Sequence, residues 1–267
     1  MFNLHIICLL VINLAITSPP DQASQPIDSL KVHADNFSVD LLGNVYYIEN
    51  QSLIKYKVGA AEKIEYSNNF LGPIYSFDVS NPLKILVFHK SFNRIVFLDQ
   101  SLAAIRSPVN LDEIGLTGVG ACCSSHEGGF WVINNTNNQI QHYNSNLQLT
   151  QETPVLQELA ELQNIKPGIT EKNRQLYCHI PGCCILTFDR YGNFLNRYAL
   201  KNVDNIQILD GNIYYFYKGA LIKQMDNKKE TLSLPLPKGN RYWDNAKVGR
   251  QNQMYLLKNQ MLYIYNR

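Results

Sequence analysis

The chain is predicted to be all-β: a six-bladed β-propeller of four-stranded antiparallel blades, its ring closed by an N-terminal strand. Three observations carry this expectation. Six segments share an apolar or aromatic strand, a short turn and a second strand: GNVYYIENQSLIKY, LKILVFHKSFNRIVFL, GGFWVINNTNNQIQHY, RQLYCHIPGCCILTF, GNIYYFYKGALIKQ and NQMYLLKNQMLYIY. Val45, Ile85, Phe130, Leu176, Ile213 and Met254 mark equivalent places in them, at spacings of 40, 45, 46, 37 and 41 residues. Each strand pair is flanked by one further strand on either side, and four strands per unit of about 40 residues is the propeller period.

The flanking strands follow in order. Eight and six residues before the marker stand Phe37 and Val39, Phe77 and Val79, Cys122 and Ser124, an alternating strand running into the turns LLGN, NPLK and HEGG. The last repeat gives Ala246 and Val248, and the fifth gives Ile206 and Ile208 once its turn is one residue shorter. Outer strands are read in EKIEYS, AIRSP, QLTQET, FLNRYAL and ETLSLPL. The sixth repeat ends in MLYIYNR without an outer strand, and DSLKVHA (28–34) is expected to supply it, which removes an exposed edge. Two links are longer. VNLDEIGLTG reads as a helical turn, and TPVLQELAELQNIKPG as a helix over 153–165. In that helix Thr153 is the cap, Pro154 the first position, and Val155, Leu156, Leu159 and Leu162 the apolar face.

Composition agrees. Of 267 residues 45% are hydrophobic and only 17% charged, which fits blades buried on both faces. Sixteen Tyr and eleven Phe suit strands. A net charge of +2 with no long like-charge block excludes a nucleic-acid footprint. The opening MFNLHIICLLVINLAIT is too short an apolar run for a membrane span and suits a secretory signal. Residues 1–17 are therefore assigned to a signal peptide, 18–27 to a linker and 28–267 to a single propeller domain. The expected location is periplasmic or secreted, the mature chain carries no membrane span, and it is a monomer.

Through the GNVYYI…LIKY type of blade hairpin, from Asp28 to Arg267, the chain resembles six-bladed propellers of the NHL/TolB-like kind, and in particular small exported bacterial propeller proteins. That group contains lactonases, quinoprotein dehydrogenases, lyases and binding scaffolds, so the resemblance implies a fold and leaves the reaction open. Enzymes of this kind place carboxylates, amides or histidines around the central channel. Here Ser38, Asp78 and Cys123 share one innermost-strand position, and Asp40, Ser80, Ser125 and Glu171 are read as sharing another. These do not make a set of hard-cation ligands. Asp40 and Glu171 are expected to cap turns or bind backbone amides. The sequence lacks an HExxH, a GxSxG, a Walker motif and a GxGxxG after a strand. No catalytic residue, metal ligand or cofactor is assigned, and the histidines, scattered over different blades, are expected to be structural.

Five cysteines follow the signal: Cys122, Cys123, Cys178, Cys183 and Cys184. Three readings stand for them: reduced core residues, one or two disulfides, or a metal or redox centre. Cys178 falls at the place of Tyr47 and Cys122 at that of Phe37 and Phe77, which are core positions. Adjacent strand residues point to opposite faces, so neither CC pair is expected to act as a chelate. If a disulfide forms, Cys122 or Cys123 to Cys178 is the first pair to test.

Inter-blade links and the turns between second and third strands emerge on one face of a propeller. The links carry Phe70, Tyr75, Arg241, Tyr242 and Trp243, residue types that anchor interfaces. The reading that follows is a non-catalytic exported scaffold whose partner is an envelope protein or peptide, with no nucleic acid bound. A channel-centred metal-dependent hydrolase or lyase and a small-molecule or glycan binder are the alternatives.

Overall fold

In the computed structural model, which describes residues 25–160, 167–200, 203, 205–225, 230–237, 242–250 and 252–266, the strands form six four-stranded antiparallel blades in a ring. Blade one is Ser38–Val39, Val45–Glu49, Ser52–Lys57 and Glu62–Tyr66, from the innermost strand outward. Blade two is Ser76–Asp78, Ile85–His89, Arg94–Leu98 and Val109–Asn110. Blade three is Val119–Ser124, Phe130–Asn134, Gln139–Tyr143 and Leu149–Glu152, and blade four Gly168–Lys172, Gln175–Ile180, Cys184–Phe188 and Phe194–Tyr198. Blade five is Ile206–Leu209, Asn212–Tyr217, Ala220–Gln224 and Thr231–Leu234. Blade six is Asn245–Val248, Gln253–Lys258 and Met261–Asn266, completed by the N-terminal Asp28–Lys31 with Leu30 opposite Leu262.

The period-2 pattern explains the core. The six marker residues are between 0 and 2% exposed, and each faces the preceding blade. The residue after each marker (Tyr46, Leu86, Trp131, Tyr177, Tyr214 and Tyr255) faces the following blade. Successive strand side chains point to opposite faces of a blade, so the interior is six apolar clusters, each held between two neighbouring blades. The cluster between blades six and one, with Leu30, Val45, Tyr47, Leu257 and Ile264, joins the two ends of the chain.

Three local expectations are corrected. The outer strand of blade two is Val109–Asn110, and the expected AIRSP contributes only an isolated bridge, Leu98 to Ala104. Pro108 has no N–H to give a ladder, which displaces pairing beyond it. The helical turn expected in the following link is present as Asp112–Ile114. Thr153 does not cap a helix: its N–H reaches Ile140 O and its hydroxyl accepts from Ile140 N, extending the sheet. The α-helix is one turn, Leu156–Leu159, with Leu156 and Leu159 on the cluster between blades three and four. Finally, Glu171 pairs with the marker Leu176, as Val39 pairs with Val45 and Ser124 with Phe130. Blade four thus has a turn one residue shorter, and Lys172, not Glu171, is the counterpart of Asp40, Ser80 and Ser125. The expected signal (1–17), most of the linker (18–27), residues 161–166 and Arg241 lie outside the described residues.

Candidate functional site

The antiparallel meander gives the ring two different faces. Inter-blade links and second-to-third-strand turns share one: a Cβ on Gly72, in the link from blade one to two, would stand 3.0 Å from the Phe92 ring in blade two's turn. Turns between first and second strands and between third and fourth strands share the other.

On the link face the residues read as an interaction surface divide into two groups. Asn68 Oδ1 accepts from Phe70 N at 3.1 Å, forming the turn Asn69–Leu71 from which the Phe70 side chain stands 92% exposed. Tyr242, between blades five and six, is 89% exposed. Tyr75 is half-buried, edge-on to Phe88, with Lys90 Nζ 4.6 Å from its ring centre. Trp243 is instead a core residue, packed edge-on against Tyr263 and Tyr265 and 8% exposed. Phe92, 53% exposed beside Gly72, joins the surface without having been read from the sequence, where it looks like an ordinary hairpin residue. Between the links flanking blade one lies a cleft of about 460 Å³, lined by Asp35, Asn36, Phe37, Ile48 and Tyr75.

The opposite face opens into the channel through a pocket of about 320 Å³ that Lys172, Arg174, Arg250, His126, Ser125 and Asp210 help to line. Arg250 Nη2 lies 3.1 Å from Asp210 Oδ1, half exposed on both sides. Lys172 crosses the channel from blade four and donates to Ser80 O of blade two at 2.9 Å. Its ammonium is held below its ordinary range by burial, against the opposing pull of Asp78 and Asp40. Deeper in, the channel wall includes Ser38, Asp78, Thr170, Gln207 and Lys247, which share one register position on five innermost strands. Lys247 is 7% exposed, and burial lowers its pKa from 10.5 to about 8. Its Nζ stands 5.8 Å from the Phe37 ring centre. The sequence reading passes over Lys172 because the short turn of blade four shifts its alignment by one residue.

Asp40 binds backbone amides as expected, accepting from Leu42 N at 2.8 Å and Asn44 N at 2.9 Å, and it also takes the Tyr46 hydroxyl at 3.0 Å. Glu171 does otherwise: its Oε2 accepts the buried indole N–H of Trp131 at 2.7 Å. His89 is buried between Tyr66 and Gly72 O, and burial lowers its pKa toward the neutral form. Among the described residues no group of three or more His, Cys, Asp or Glu is placed to hold a metal ion.

All five described cysteines are free thiols. Cys122 faces blade two, whereas Cys123 faces blade four, in the same cluster as Cys178 and Cys184. The structure therefore does not bring Cys122 to Cys178. Burial raises the Cys122 and Cys123 thiols well above their usual range and Cys178 to about 12. The expectation that each CC pair diverges holds for Cys122 and Cys123 but fails for Cys183 and Cys184, whose sulfurs approach to 2.7 Å. Cys183 lies in the turn, outside the alternation of the strand that begins at Cys184.

No family model and no curated protein matches the chain. Among solved structures it is similar to selenomethionine-substituted virginiamycin B lyase from Staphylococcus aureus, with a TM-score of 0.53 and 12% identity over 90% of this chain and 88% of that one. It is similar to the extracellular domain of the one-component system BT4673 from B. thetaiotaomicron, with a TM-score of 0.54 and 12% identity over 86% of this chain and 33% of that one. A chain of the mitotic checkpoint complex aligns over 100% of this chain and 99% of its own, with a TM-score of 0.56 and 10% identity. At such identities the likeness is one of fold, and the fold is the propeller.

Proposed function

We propose that this chain is a non-catalytic, exported propeller that docks a protein or peptide segment on its link face. The observation that carries this reading is the pair Phe70 and Tyr242, two aromatic side chains about nine-tenths exposed on links that the topology sends to one face. Phe92 and the cleft beside Tyr75 lie on the same face. Large aromatics contribute most when they are desolvated at the centre of a protein interface. Kinship with the NHL/TolB-like exported propellers, a signal over 1–17, a linker over 18–27, a single domain over 28–267 and a monomeric state belong to this reading. A periplasmic or secreted location fits it, and no described helix is long and apolar enough to cross a membrane.

The test is to select peptides from a displayed library on the purified chain and measure the best binder against variants. Phe70→Ala or Tyr242→Ala is expected to weaken it roughly tenfold or more, the loss of about 1.4 kcal/mol or more that marks an interface anchor. Arg250→Ala, on the opposite face, leaves it unchanged. Peptides whose binding ignores both aromatic changes sink the reading.

A second reading has its own observation. Lys172, Arg174 and Arg250 converge at the channel mouth, where among the described lining residues Asp210 is the exposed carboxylate and Glu171 is buried, which suits a small anionic molecule in place of a protein. Binding of such a ligand lost in Arg174→Ala and kept in Phe70→Ala would favour it.

A further inference from the structure

Blade four's inner hairpin turns through Ile180, Pro181, Gly182 and Cys183. Cys183 N donates to Ile180 O at 3.0 Å, and Gly182 holds φ +76°. Pro at the second place and a positive-φ glycine at the third are what a type II turn requires. Yet Ile180 pairs with Cys184, not with Cys183. Cys183 is thus the extra residue of a three-residue loop, released from the alternation that would send it away from its neighbour. Both side chains fall on the cluster between blades three and four.

The consequence is a contact between sulfurs. Cys183 Sγ stands 2.7 Å from Cys184 Sγ, nearer to the roughly 2.05 Å of a covalent S–S bond than neighbouring unbonded sulfurs require. Cys183 is partly exposed while Cys184 is buried, its thiol pushed up to about 11 by burial first and by Cys183 second. Arg197, opposite Leu186 on the outer strand, donates from Nη2 to Cys183 Sγ at 3.6 Å. One sulfur is therefore accessible beside a cationic donor, and a second waits behind it. Cys122, Cys123 and Cys178 are all buried.

We propose that Cys183 and Cys184 form an oxidation site that closes to a disulfide between adjacent residues by exchange with an external disulfide. The Cys183 sulfur, its proton lost to solvent, attacks one sulfur of R–S–S–R, whose S–S bond breaks to release R–S⁻, which takes up a proton as R–SH. The Cys184 sulfur then attacks the Cys183 sulfur of the mixed disulfide, gives up its own proton and expels the second R–SH. Two protein thiols and one R–S–S–R become one protein disulfide and two R–SH, and two electrons pass to the exchange partner. Adjacent Cα atoms are about 3.8 Å apart, shorter than the roughly 4.4–6.8 Å that disulfides usually span, which makes such a bond more readily reduced than a structural one. The site is reversible, and it sits at a turn on the link face.

The experiment uses the whole purified chain, reduced and then incubated with oxidised glutathione. Free thiols are alkylated under denaturing conditions and the protein is digested with trypsin. The peptide Gln175–Arg190 contains Cys178, Cys183 and Cys184. Expected is a peptide two hydrogens lighter, alkylated at Cys178 alone, that regains all three alkyl groups after reduction. The same closure is expected in Cys178→Ala and absent from Cys184→Ser, which stops at the glutathione adduct on Cys183. Three alkylated cysteines after oxidation would overturn the assignment. So would a closed peptide alkylated at Cys183 or Cys184, since that places Cys178 in the bond.

Discussion

Lys172 Nζ and the carbonyl oxygen of Ser80 are 2.9 Å apart, although blade three stands between their blades. The bond spans the channel and separates its mouth from the deeper wall where Lys247 lies. The half-buried Lys172 therefore has a backbone acceptor across the ring, whereas the buried Lys247 faces an aromatic ring and burial alone lowers its proton affinity. The two lysines should respond differently to pH and to substitution.

Lys247→Met is expected to stabilise the protein at pH 7, by up to about 3 kcal/mol if the whole shift is recovered. The folded-state pKa of about 8 lies below the ordinary 10.5. Below pH 8 both folded and unfolded chains hold the proton, and the full cost of burying the charge is present. Between about 8 and 10.5 the unfolded chain holds more protons, so the contribution of Lys247 to stability rises with pH. Denaturant unfolding of both proteins at pH 7 and 9.5 checks this. The advantage of the variant should shrink at the higher pH, and a constant difference would refute the burial account.

Glu171→Leu is expected to cost about 1–3 kcal/mol, because it leaves the Trp131 indole N–H buried without its acceptor. Glu171→Gln keeps a carbonyl oxygen for the indole and should lose less. Thermal unfolding followed by tryptophan fluorescence separates the two. Equal losses would mean that the indole bond contributes little.

These residues also show what the sequence made legible. The repeat and the blade count were readable because each marker and its neighbour alternate between two buried faces, a pattern that Val45 and Tyr46 display as plainly as Met254 and Tyr255. Site residues were readable only where register was certain. One residue fewer in the turn of blade four moved Glu171 into the place that Lys172 occupies. Trp243 and Tyr242 are adjacent in the chain, yet one is core and the other is surface, and local composition cannot separate them. Strand alternation would send Cys183 away from Cys184, and its turn position is what brings its sulfur to Cys184.

Asp40→Ala is expected to destabilise the protein by about 3 kcal/mol. Its carboxylate accepts from Leu42 N, Asn44 N, the Asn44 amide and Tyr46 OH, and bonds to a charged acceptor contribute about 1.5–3 kcal/mol each without adding fully. Burial foremost, then the Asp40 charge, raises the Tyr46 pKa far above its usual value. In the variant that pKa should fall while staying above 10, since burial persists. Spectrophotometric titration of tyrosinate reads the shift, and an unchanged profile would show that Asp40 does not act on Tyr46.

Ring closure gives the last prediction. Asp28–Lys31 lies against Met261–Asn266, with Ile27 N on Ile264 O and Val32 N on Gln260 O, both at 2.7 Å. Tyr56 OH of blade one also donates to Asp28 Oδ2 at 2.8 Å, so the strand ties blade six to blade one. Leu30, buried among Val45, Leu262 and Ile264, anchors it. Leu30→Ala should cost about 2–5 kcal/mol, as for other buried leucines. Removing residues 1–32 does more than remove contacts: it bares the backbone of Met261–Asn266 along a strand whose Leu262 and Ile264 are fully buried. An open apolar edge invites pairing with another copy. Sedimentation velocity at two concentrations should find the truncated chain self-associating, with a lowered Tm, while a chain starting at Gln25 sediments independently of concentration. A truncated chain that stays monomeric at an unchanged Tm would mean that three strands suffice for blade six and that the ring is held by blade-to-blade packing alone.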